Sequence, residues 1–246
     1  MARPLTTQVF ESTSLRPCNF LSQKVSSRQV WRNGRETSLY AASGERKYLN
    51  HDERRRLLAQ FETLSPEKCL FGLLLAWTGA RVSEVLALTP NSFQVDAGIV
   101  TIKTLKQRAH CVRELPIPPK LMQRLERFFG LHALQRGPLA SKRLWRFCRQ
   151  TAWRFIKQTC VSVQIAGRRA SPRGLRHAFG VRAMQRSVPM PLAQRWMGHA
   201  RLMTTAIYMS VCGPDEVAFA EQFWGEGPSQ THRPSRDAFP KAACRS

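Results

Sequence analysis

The chain has 246 residues, and its 39 lysine and arginine residues against 16 aspartate and glutamate residues give a formal net charge of +23. This excess of positive charge argues against an ordinary metabolic enzyme and indicates a polyanionic partner, either nucleic acid or an anionic membrane surface. Hydrophobic residues make up 43% of the chain, which excludes a disordered basic tail and permits a core without disulfide or metal cross-links.

Cysteine spacing and hydropathy narrow the class of protein further. The seven cysteines include no CxxC pair, so a disulfide framework and a thiolate zinc site are both disfavoured and the cytoplasm is the expected compartment. No apolar run approaches the length of a membrane span, and no secretory signal follows Met1. The first 45 residues resemble a mitochondrial transit peptide only loosely, because Pro4 and Pro17 interrupt an amphipathic helix.

The chain divides into three regions by composition and periodicity. Residues 1–46 are predicted to be a basic, partly disordered arm, residues 47–224 a folded domain, and residues 225–246 a disordered tail. In the folded region, helices are expected over 52–64, 66–77 and 80–88, with Asn50 as N-cap of the first and Pro90 ending the third.

A short β region follows these helices. Strands are predicted over 93–95, 99–102 and 112–117, the first two joined by a tight turn at 96–98. Further helices are predicted from apolar residues at helical spacing around 121–129 and 144–155, from 172 onward, and over 192–197, 202–208 and 215–224. The expected fold is α+β and mainly helical, with a small three-stranded antiparallel sheet.

One arginine is unusual for its predicted place in a helix. Arg81 is expected in the first turn of an otherwise apolar helix, where its charge opposes the helix dipole. An anion bound by both Arg81 and the helix N-terminus would offset that cost. Glu84, three residues on, is placed to orient the guanidinium group. An ordinary surface pair of Arg81 and Glu84 is the alternative interpretation.

Four more residues stand out downstream. Arg173 and Arg176 are three residues apart and share a helix face. The alternative interpretation is that this basic face is simply exposed to solvent. His199 directly follows a helix end, and Tyr208 comes nine residues later. Taken singly, a structural histidine and a packing tyrosine explain these two equally well.

In their order and spacing these segments resemble the tyrosine recombinases, also called the phage integrase family. The segments that carry the resemblance are TGARVSEVLAL, IKTLKQR on the predicted strands, SPRGLRHAFG and WMGHARLMTTAIY. The family pattern is an arginine in a TGxRxxE turn, a lysine on a β-hairpin, an HxxR pair, a GH dipeptide and a nucleophilic tyrosine nine residues after that histidine. The resemblance covers residues 47–224 and identifies them as a tyrosine-recombinase catalytic domain.

The resemblance implies a role for each matching side chain. Arg81 and Arg176 would bind the non-bridging oxygens of a scissile DNA phosphate. A guanidinium group is suited to this because it is planar, stays charged and can bind two oxygens at once. Tyr208 would attack the phosphorus to give a 3′-phosphotyrosyl link and a free 5′-hydroxyl. His199 would hydrogen-bond a phosphate oxygen and assist proton transfer.

The resemblance also assigns the remaining basic residues. Lys103 would protonate the 5′-oxygen leaving group, with Lys106 as the alternative general acid. Lys106, Arg108 and Arg201 would contact DNA. No metal and no ATP are expected, because the cationic side chains supply the electrostatic stabilisation and the phosphotyrosine conserves the bond for religation.

Two departures from the family pattern matter. Arg173 stands where the family usually has histidine, and arginine cannot act as a general base. Proton transfer would then fall to His199 or to water, or activity would be reduced; His177 is expected to point to another side of the helix. The 46 residues before the match are too few for the N-terminal core-binding domain of typical members, a layout similar to short plasmid-encoded resolvases.

The resulting prediction is a site-specific DNA recombinase of the bacterial cytoplasm that resolves plasmid or transposon multimers. The expected partners are double-stranded DNA, further copies of the chain as a tetramer in the synaptic complex, and an accessory DNA-binding protein, with no membrane. Three alternatives stay open: an integrase or invertase, a non-catalytic DNA-binding protein on the same fold, and a basic RNA-binding protein. The helix over 215–224 is expected to dock either on a neighbouring protomer or on its own domain.

Overall fold

The computed structural model describes residues 38–104, 111–211 and 213–224. Its α-helices within these ranges are α1 (His51–Phe61), α2 (Pro66–Thr78), α3 (Val82–Leu86), α4 (Pro119–Phe129), α5 (Leu131–Gln135), α6 (Arg149–Ser162), α7 (Pro172–Gln185), α8 (Met190–Met197), α9 (Met203–Ala206) and α10 (Pro214–Trp224). The strands are β1 (Phe93–Gln94), β2 (Ile99–Lys103) and β3 (Val112–Pro116). The described part of the chain contains no helix that is long and apolar enough to cross a membrane.

The three strands form one antiparallel sheet in the order β1-β2-β3, which confirms the predicted fold class. Val100 at the centre of β2 pairs with Phe93 on one side and with Leu115 on the other, and all three side chains are buried. Because side chains alternate along a strand, this register also turns the side chain of Arg113 toward the interior, opposite Ile102.

Local sequence signals set where several helices begin and end. Asn50 caps α1 in a reciprocal capping box with Glu53, and the Ser171 hydroxyl accepts a hydrogen bond from the backbone of α7. Gly79 and Gly198 end α2 and α8 with φ angles of +59° and +63°, a conformation that glycine adopts without strain. The chain therefore turns sharply just before Arg81 and just before His199.

Two helix predictions were wrong at their starts. Arg81 is the extended N-cap of α3 and precedes the helical turn in which it was expected. Helix α6 begins at Arg149, so Leu144 and Phe147 lie in the segment before it. The Phe147 ring packs edge-on against Phe71, with centroids 5.0 Å apart, so Phe147 contacts the core from the segment before the helix and not from a helix face.

The core consists of two neighbouring clusters of buried side chains. The larger one surrounds α2, whose residues from Cys69 to Ala76 are all buried. The smaller one lies under α7 and α8 and contains Tyr48, Met184, Met197 and Tyr208. Helix α7 contributes to both clusters through Leu175 and Val181 and so lies between them.

Residues 38–48 and α10 pack together on the smaller cluster. Leu39 is buried there, although residues 1–46 were assigned to the arm. The Tyr48 hydroxyl donates to Asp215 Oδ2 at 2.7 Å, and Gln185 donates to Asp215 Oδ1 at 3.3 Å. Phe219 packs against the same cluster, so the first turns of α10 dock on their own domain. Residues 1–37 and the predicted tail over 225–246 lie outside the described residues.

Candidate active site

The side chain of Arg176 connects two turns that are distant in sequence. It projects from α7 and is buried. Its Nη1 donates to the carbonyl of Gly79 at 2.6 Å, and its Nη2 donates to the carbonyl of Met197 at 2.7 Å. Gly79 lies two residues before Arg81, and Met197 lies two residues before His199. Arg176 therefore holds the two predicted site segments together.

Arg81 is oriented by a buried carboxylate. Glu84 accepts hydrogen bonds from the Arg81 backbone N–H at 3.0 Å and from Arg81 Nη1 at 2.8 Å. Arg113 Nη2 donates to the same carboxylate at 2.6 Å. Burial opposes ionisation of Glu84, but the charge of Arg113 and its hydrogen bond hold the pKa of Glu84 below its usual value. An anionic Glu84 therefore anchors the backbone and the side chain of Arg81.

Sequence reasoning missed Arg113, which belongs to this network. Besides Glu84, its guanidinium group donates to Thr104 Oγ1 and to the carbonyl of Trp196, each at 2.8 Å. A buried guanidinium group requires such partners, since an unpaired charge in the interior is costly. The signal was present in the sequence. Arg113 is two residues before Leu115 on β3, so both side chains lie on the same, inward-facing side of the strand.

Tyr208 lies in a 3₁₀ turn over Ile207–Met209, and only 1% of its surface is exposed. Its Oη is 3.2 Å from Nδ1 of His177. A Cβ atom at Gly180 would lie 2.5 Å from the Tyr208 ring, so the ring packs directly on the α7 backbone. Burial raises the pKa of Tyr208 to about 12, although the charges of Arg176, Arg173 and Arg81 oppose the rise.

The expectation that His177 points away from the site was wrong. Helix α7 presents Arg173, His177 and Gly180 on one face, at spacings of four and three residues, and Tyr208 packs on that face. Arg176 lies on an adjacent face and reaches Gly79 and Met197. A histidine followed three residues later by a glycine was the available sequence signal, because a glycine leaves room for a ring beside that histidine.

His199 is placed next to the same tyrosine. Its Nδ1 is 2.9 Å from Thr205 Oγ1, and its ring lies nearly parallel to the Tyr208 ring, with centroids 6.1 Å apart. Burial, reinforced by the charges of Arg176 and Arg81, lowers the pKa of His199 to about 3. The imidazole is therefore neutral at neutral pH, and the nearby Arg176 and Arg81 favour an anion beside it.

Arg176 is a buried cation that lies between the Arg81 turn and the His199 turn. Burial, followed by the charge of Arg81, lowers the pKa of Arg176 to about 10, so it stays protonated at neutral pH. The structure thus brings the turns that carry Arg81 and His199 together at Arg176 and places His199 beside Tyr208.

The other predicted site residues lie further out or outside the described residues. Lys103 ends β2, is exposed and pairs with Val112, on the opposite face of the sheet from Arg113. Arg201 is exposed between α8 and α9, and Arg173 is exposed at the start of α7. Lys106 and Arg108 lie outside the described residues. The described ranges contain no group of three or more His, Cys, Asp and Glu residues arranged to hold a metal ion.

Comparisons with known proteins give consistent results. The model of the phage integrase family matches residues 47–212. Tyrosine recombinase XerD of Haemophilus ducreyi is 29% identical over 170 residues, which is 65% of this chain and 55% of that protein. Tyrosine recombinase XerA of Pyrococcus furiosus is 28% identical over 169 residues, covering 67% of this chain and 57% of that protein. The chain thus spans about half the length of the curated relatives it matches.

Solved structures show the same fold. The crystal structure of XerA recombinase superposes with a TM-score of 0.61 at 22% identity, covering 72% of this chain and 65% of that one. The XerH site-specific recombinase bound to its difH substrate superposes with a TM-score of 0.58 at 17% identity, covering 75% and 59%. The catalytic domain of bacteriophage HP1 integrase superposes with a TM-score of 0.52 at 20% identity over 77% of this chain and all of that domain.

Proposed function

Because the chain belongs to the phage integrase family, we propose that it is a site-specific DNA recombinase that cleaves and rejoins DNA through Tyr208. The observation that carries this proposal is the position of Arg176, whose hydrogen bonds to Gly79 and Met197 draw the Arg81 turn and the His199 turn to the same place. Two guanidinium groups beside one phenol suit the binding of a phosphate and an attack on its phosphorus.

In the proposed step, a bond forms between Tyr208 Oη and phosphorus while the bond between phosphorus and the 5′-oxygen breaks. Arg81 and Arg176 bind the two non-bridging oxygens, where negative charge builds up in the transition state. The electron pair of the broken bond stays on the 5′-oxygen, which takes a proton from Lys103 or Lys106. The products are a 3′-phosphotyrosyl link and a 5′-hydroxyl, and the reverse step rejoins the strand.

The Tyr208 proton must leave during this attack. Arg173 cannot take it, because a guanidinium group has no lone pair to offer. A bound phosphate would oppose the cations that lower the pKa of His199, so its imidazole is the proposed acceptor, directly or through a water molecule.

The burial of Tyr208 adds a conformational requirement. With 1% of its surface exposed, Tyr208 cannot meet a phosphate without movement of the short segment that carries it. The segment consists of α9 and the 3₁₀ turn over Ile207–Met209, both of them a single turn long. We therefore expect DNA binding to shift residues 203–209 only enough to admit a phosphate to Oη, while the Tyr208 ring keeps its contacts with Gly180 and His177.

The proposed partner is double-stranded DNA, contacted by the exposed Arg201 and, as proposed from the sequence, by Lys106 and Arg108. We propose that residues 47–224 are the catalytic domain and that four copies assemble on paired sites. Resolution of plasmid or transposon multimers in the cytoplasm, with an accessory DNA-binding protein, is the proposed setting.

A second candidate is a DNA-binding protein that no longer cleaves. Two observations favour it: Arg173 occupies the position of a usual proton-transferring histidine, and Tyr208 is enclosed. Both candidates predict DNA binding, so only the covalent step separates them.

The test uses nicked suicide DNA carrying candidate sites from the native replicon. Denaturing electrophoresis should reveal a covalent protein–DNA band with the full chain and with Tyr40→Phe, the matched tyrosine control. Tyr208→Phe should bind the DNA with unchanged affinity and give no band. Binding without a covalent band in the unmodified protein would favour the second candidate, and an undiminished band in Tyr208→Phe would remove the assignment of the nucleophile.

A further inference from the structure

One face of α7 surrounds the phenol of Tyr208 with two side chains that have no part in the steps described so far. Arg173, His177 and Gly180 follow one another at spacings of four and three residues, so they line one side of the helix. At Gly180 the absence of a side chain lets the Tyr208 ring lie against the helix backbone. The ring is thereby held with its Oη next to the imidazole of His177.

The hydrogen bonds of His177 define which of its nitrogens carries the proton. Arg173 Nε donates to Nε2 of His177 at 3.4 Å, a long contact, and Nδ1 lies 3.2 Å from Tyr208 Oη. A guanidinium group can only donate, so Nε2 must present its lone pair. A neutral imidazole has one N–H, which is therefore on Nδ1 and donates to Tyr208 Oη.

The surroundings keep this imidazole neutral. His177 is 8% exposed, and the cations acting on it are Arg173, Arg176 and Lys47. Burial, followed by the charge of Arg173, lowers the pKa of His177 to about 3. The imidazole therefore does not gain a second proton near neutral pH, and the tautomer that Arg173 selects is the form that meets the tyrosine.

His199 is not placed to donate a hydrogen bond to Tyr208 Oη. Its ring stacks beside the Tyr208 ring, and its Nδ1 pairs with Thr205 Oγ1. Among the described hydrogen bonds, the one to Tyr208 Oη comes from His177. The two histidines next to the tyrosine thus occupy different positions, one at the phenol oxygen and one beside the ring.

We propose that Arg173 and His177 form a positioning pair for Tyr208, in which Arg173 selects the Nδ1–H tautomer of His177 and that N–H orients the phenol oxygen and stabilises its negative charge. The inference rests on the proposed function and assigns two positioning residues to that same site. In this tautomer His177 has no lone pair facing Oη, so it acts as a hydrogen-bond donor and does not accept the phenol proton. Arginine at position 173 thus has a use that requires no proton transfer.

The first test observes the tautomer directly in the intact protein without DNA. Nitrogen-15 NMR of histidine-labelled protein at neutral pH distinguishes protonated from unprotonated ring nitrogens, and His177→Asn identifies the resonances of His177. We expect a protonated Nδ1 and an unprotonated Nε2. Arg173→Met should shift the population toward Nε2–H, and His132→Asn should leave the His177 resonances unchanged. An Nε2–H tautomer in the unmodified protein, or no change in Arg173→Met, would overturn the inference.

The second test measures the rate of covalent complex formation on suicide DNA under single-turnover conditions. His177→Leu removes the donor, and the rate should fall on the order of tenfold, as expected for one lost hydrogen bond of about 1.4 kcal/mol. His177→Asn places an amide N–H near the position of Nδ1–H and should recover most of the rate. DNA affinity should be equal in all variants. An unchanged rate in His177→Leu contradicts the inference.

The two tests separate the failure of the inference from the failure of the proposed function. If the unmodified protein forms no covalent complex, the recombinase proposal fails while the NMR result still decides whether Arg173 selects the tautomer. If it forms the complex and His177 is the Nε2–H tautomer, the recombinase proposal stands and the positioning pair is rejected.

Discussion

Arg113 Nη2 lies 2.6 Å from the Glu84 carboxylate, and both side chains are enclosed by protein. The pair joins β3 to α3 across 29 residues of sequence. Since the other oxygen of Glu84 accepts from Arg81, the sheet controls the position of a proposed phosphate-binding arginine through a single buried carboxylate. Stability and site geometry are thereby linked.

Arg113→Met should lower the free energy of unfolding by about 3–5 kcal/mol, because it leaves the Glu84 charge buried without its main partner. Guanidinium denaturation followed by circular dichroism measures the change. Arg55→Met is the matched control, since the pair of Arg55 with Asp52 is exposed and contributes less than about 1 kcal/mol. Equal losses in the two variants would contradict the assignment of Arg113 as a structural anchor.

Gly180→Ala should displace the Tyr208 ring, because the added Cβ would lie 2.5 Å from it. We expect a loss of about 1–3 kcal/mol in stability and a loss on the order of 100-fold in the rate of covalent complex formation. Gly137→Ala is the matched control, as its Cβ would meet its nearest neighbours at 3.8 Å. A Gly180→Ala variant that cleaves at the normal rate would show that catalysis does not require the observed packing of the Tyr208 ring on Gly180.

Stability should fall as the pH is lowered from about 6.5 toward 3. In the folded state burial depresses the pKa of His177 and of His199 to about 3, whereas in the unfolded state both take up protons below about 6.5. Each histidine therefore contributes stability above pH 6.5 that is lost at about 1.4 kcal/mol per pH unit within this window. Denaturation midpoints between pH 7 and 5 measure how steeply the free energy of unfolding changes with pH. His177→Asn should reduce this slope by the contribution of one histidine. An identical slope in that variant would show that His177 is not a buried neutral group.

DNA binding should weaken steeply with salt. The exposed cations include Arg55, Arg56, Lys142, Arg143, Arg168 and Arg201. Arg54 is excluded from this set because its guanidinium group is buried 4.8 Å from the centroid of the Trp77 ring. The logarithm of the binding constant should fall by about 0.9 per phosphate contact for each decade of salt. Fluorescence anisotropy at several salt concentrations measures the slope, and an affinity independent of salt would indicate a different partner.

Tyr48→Phe should destabilise the docking of α10. It removes the hydroxyl that donates to Asp215 and leaves a buried carboxylate oxygen without that partner, at a cost of about 1–3 kcal/mol. Tyr40→Phe removes a longer contact of 3.3 Å in a half-buried position and should cost less than about 1 kcal/mol. Thermal unfolding of both variants gives the comparison. No difference between them would mean that α10 is not held by its own domain in solution.

Much of the fold was predictable because its signals are local. Asn50 and Ser171 cap their helices through contacts with backbone groups three residues away, and Gly79 and Gly198 end theirs through left-handed φ angles that favour glycine. Two short strand-forming segments around a tight turn at 96–98, and a third over 112–117, predicted three strands, and the structure confirms the antiparallel sheet. The order and spacing of the motifs likewise sufficed to identify the family, and a family model matches residues 47–212.

What tertiary structure alone decided is how the side chains of the site meet. Sequence spacing placed Arg176 and Tyr208 in one family pattern, but it did not show that His177, 31 residues before Tyr208, contacts its hydroxyl. It did not show that Arg113 completes the Glu84 network either. The reason is physical: a helix or strand follows from neighbours within a few residues, whereas burial, hydrogen-bond partners and the pKa shifts they cause depend on segments that only packing brings together.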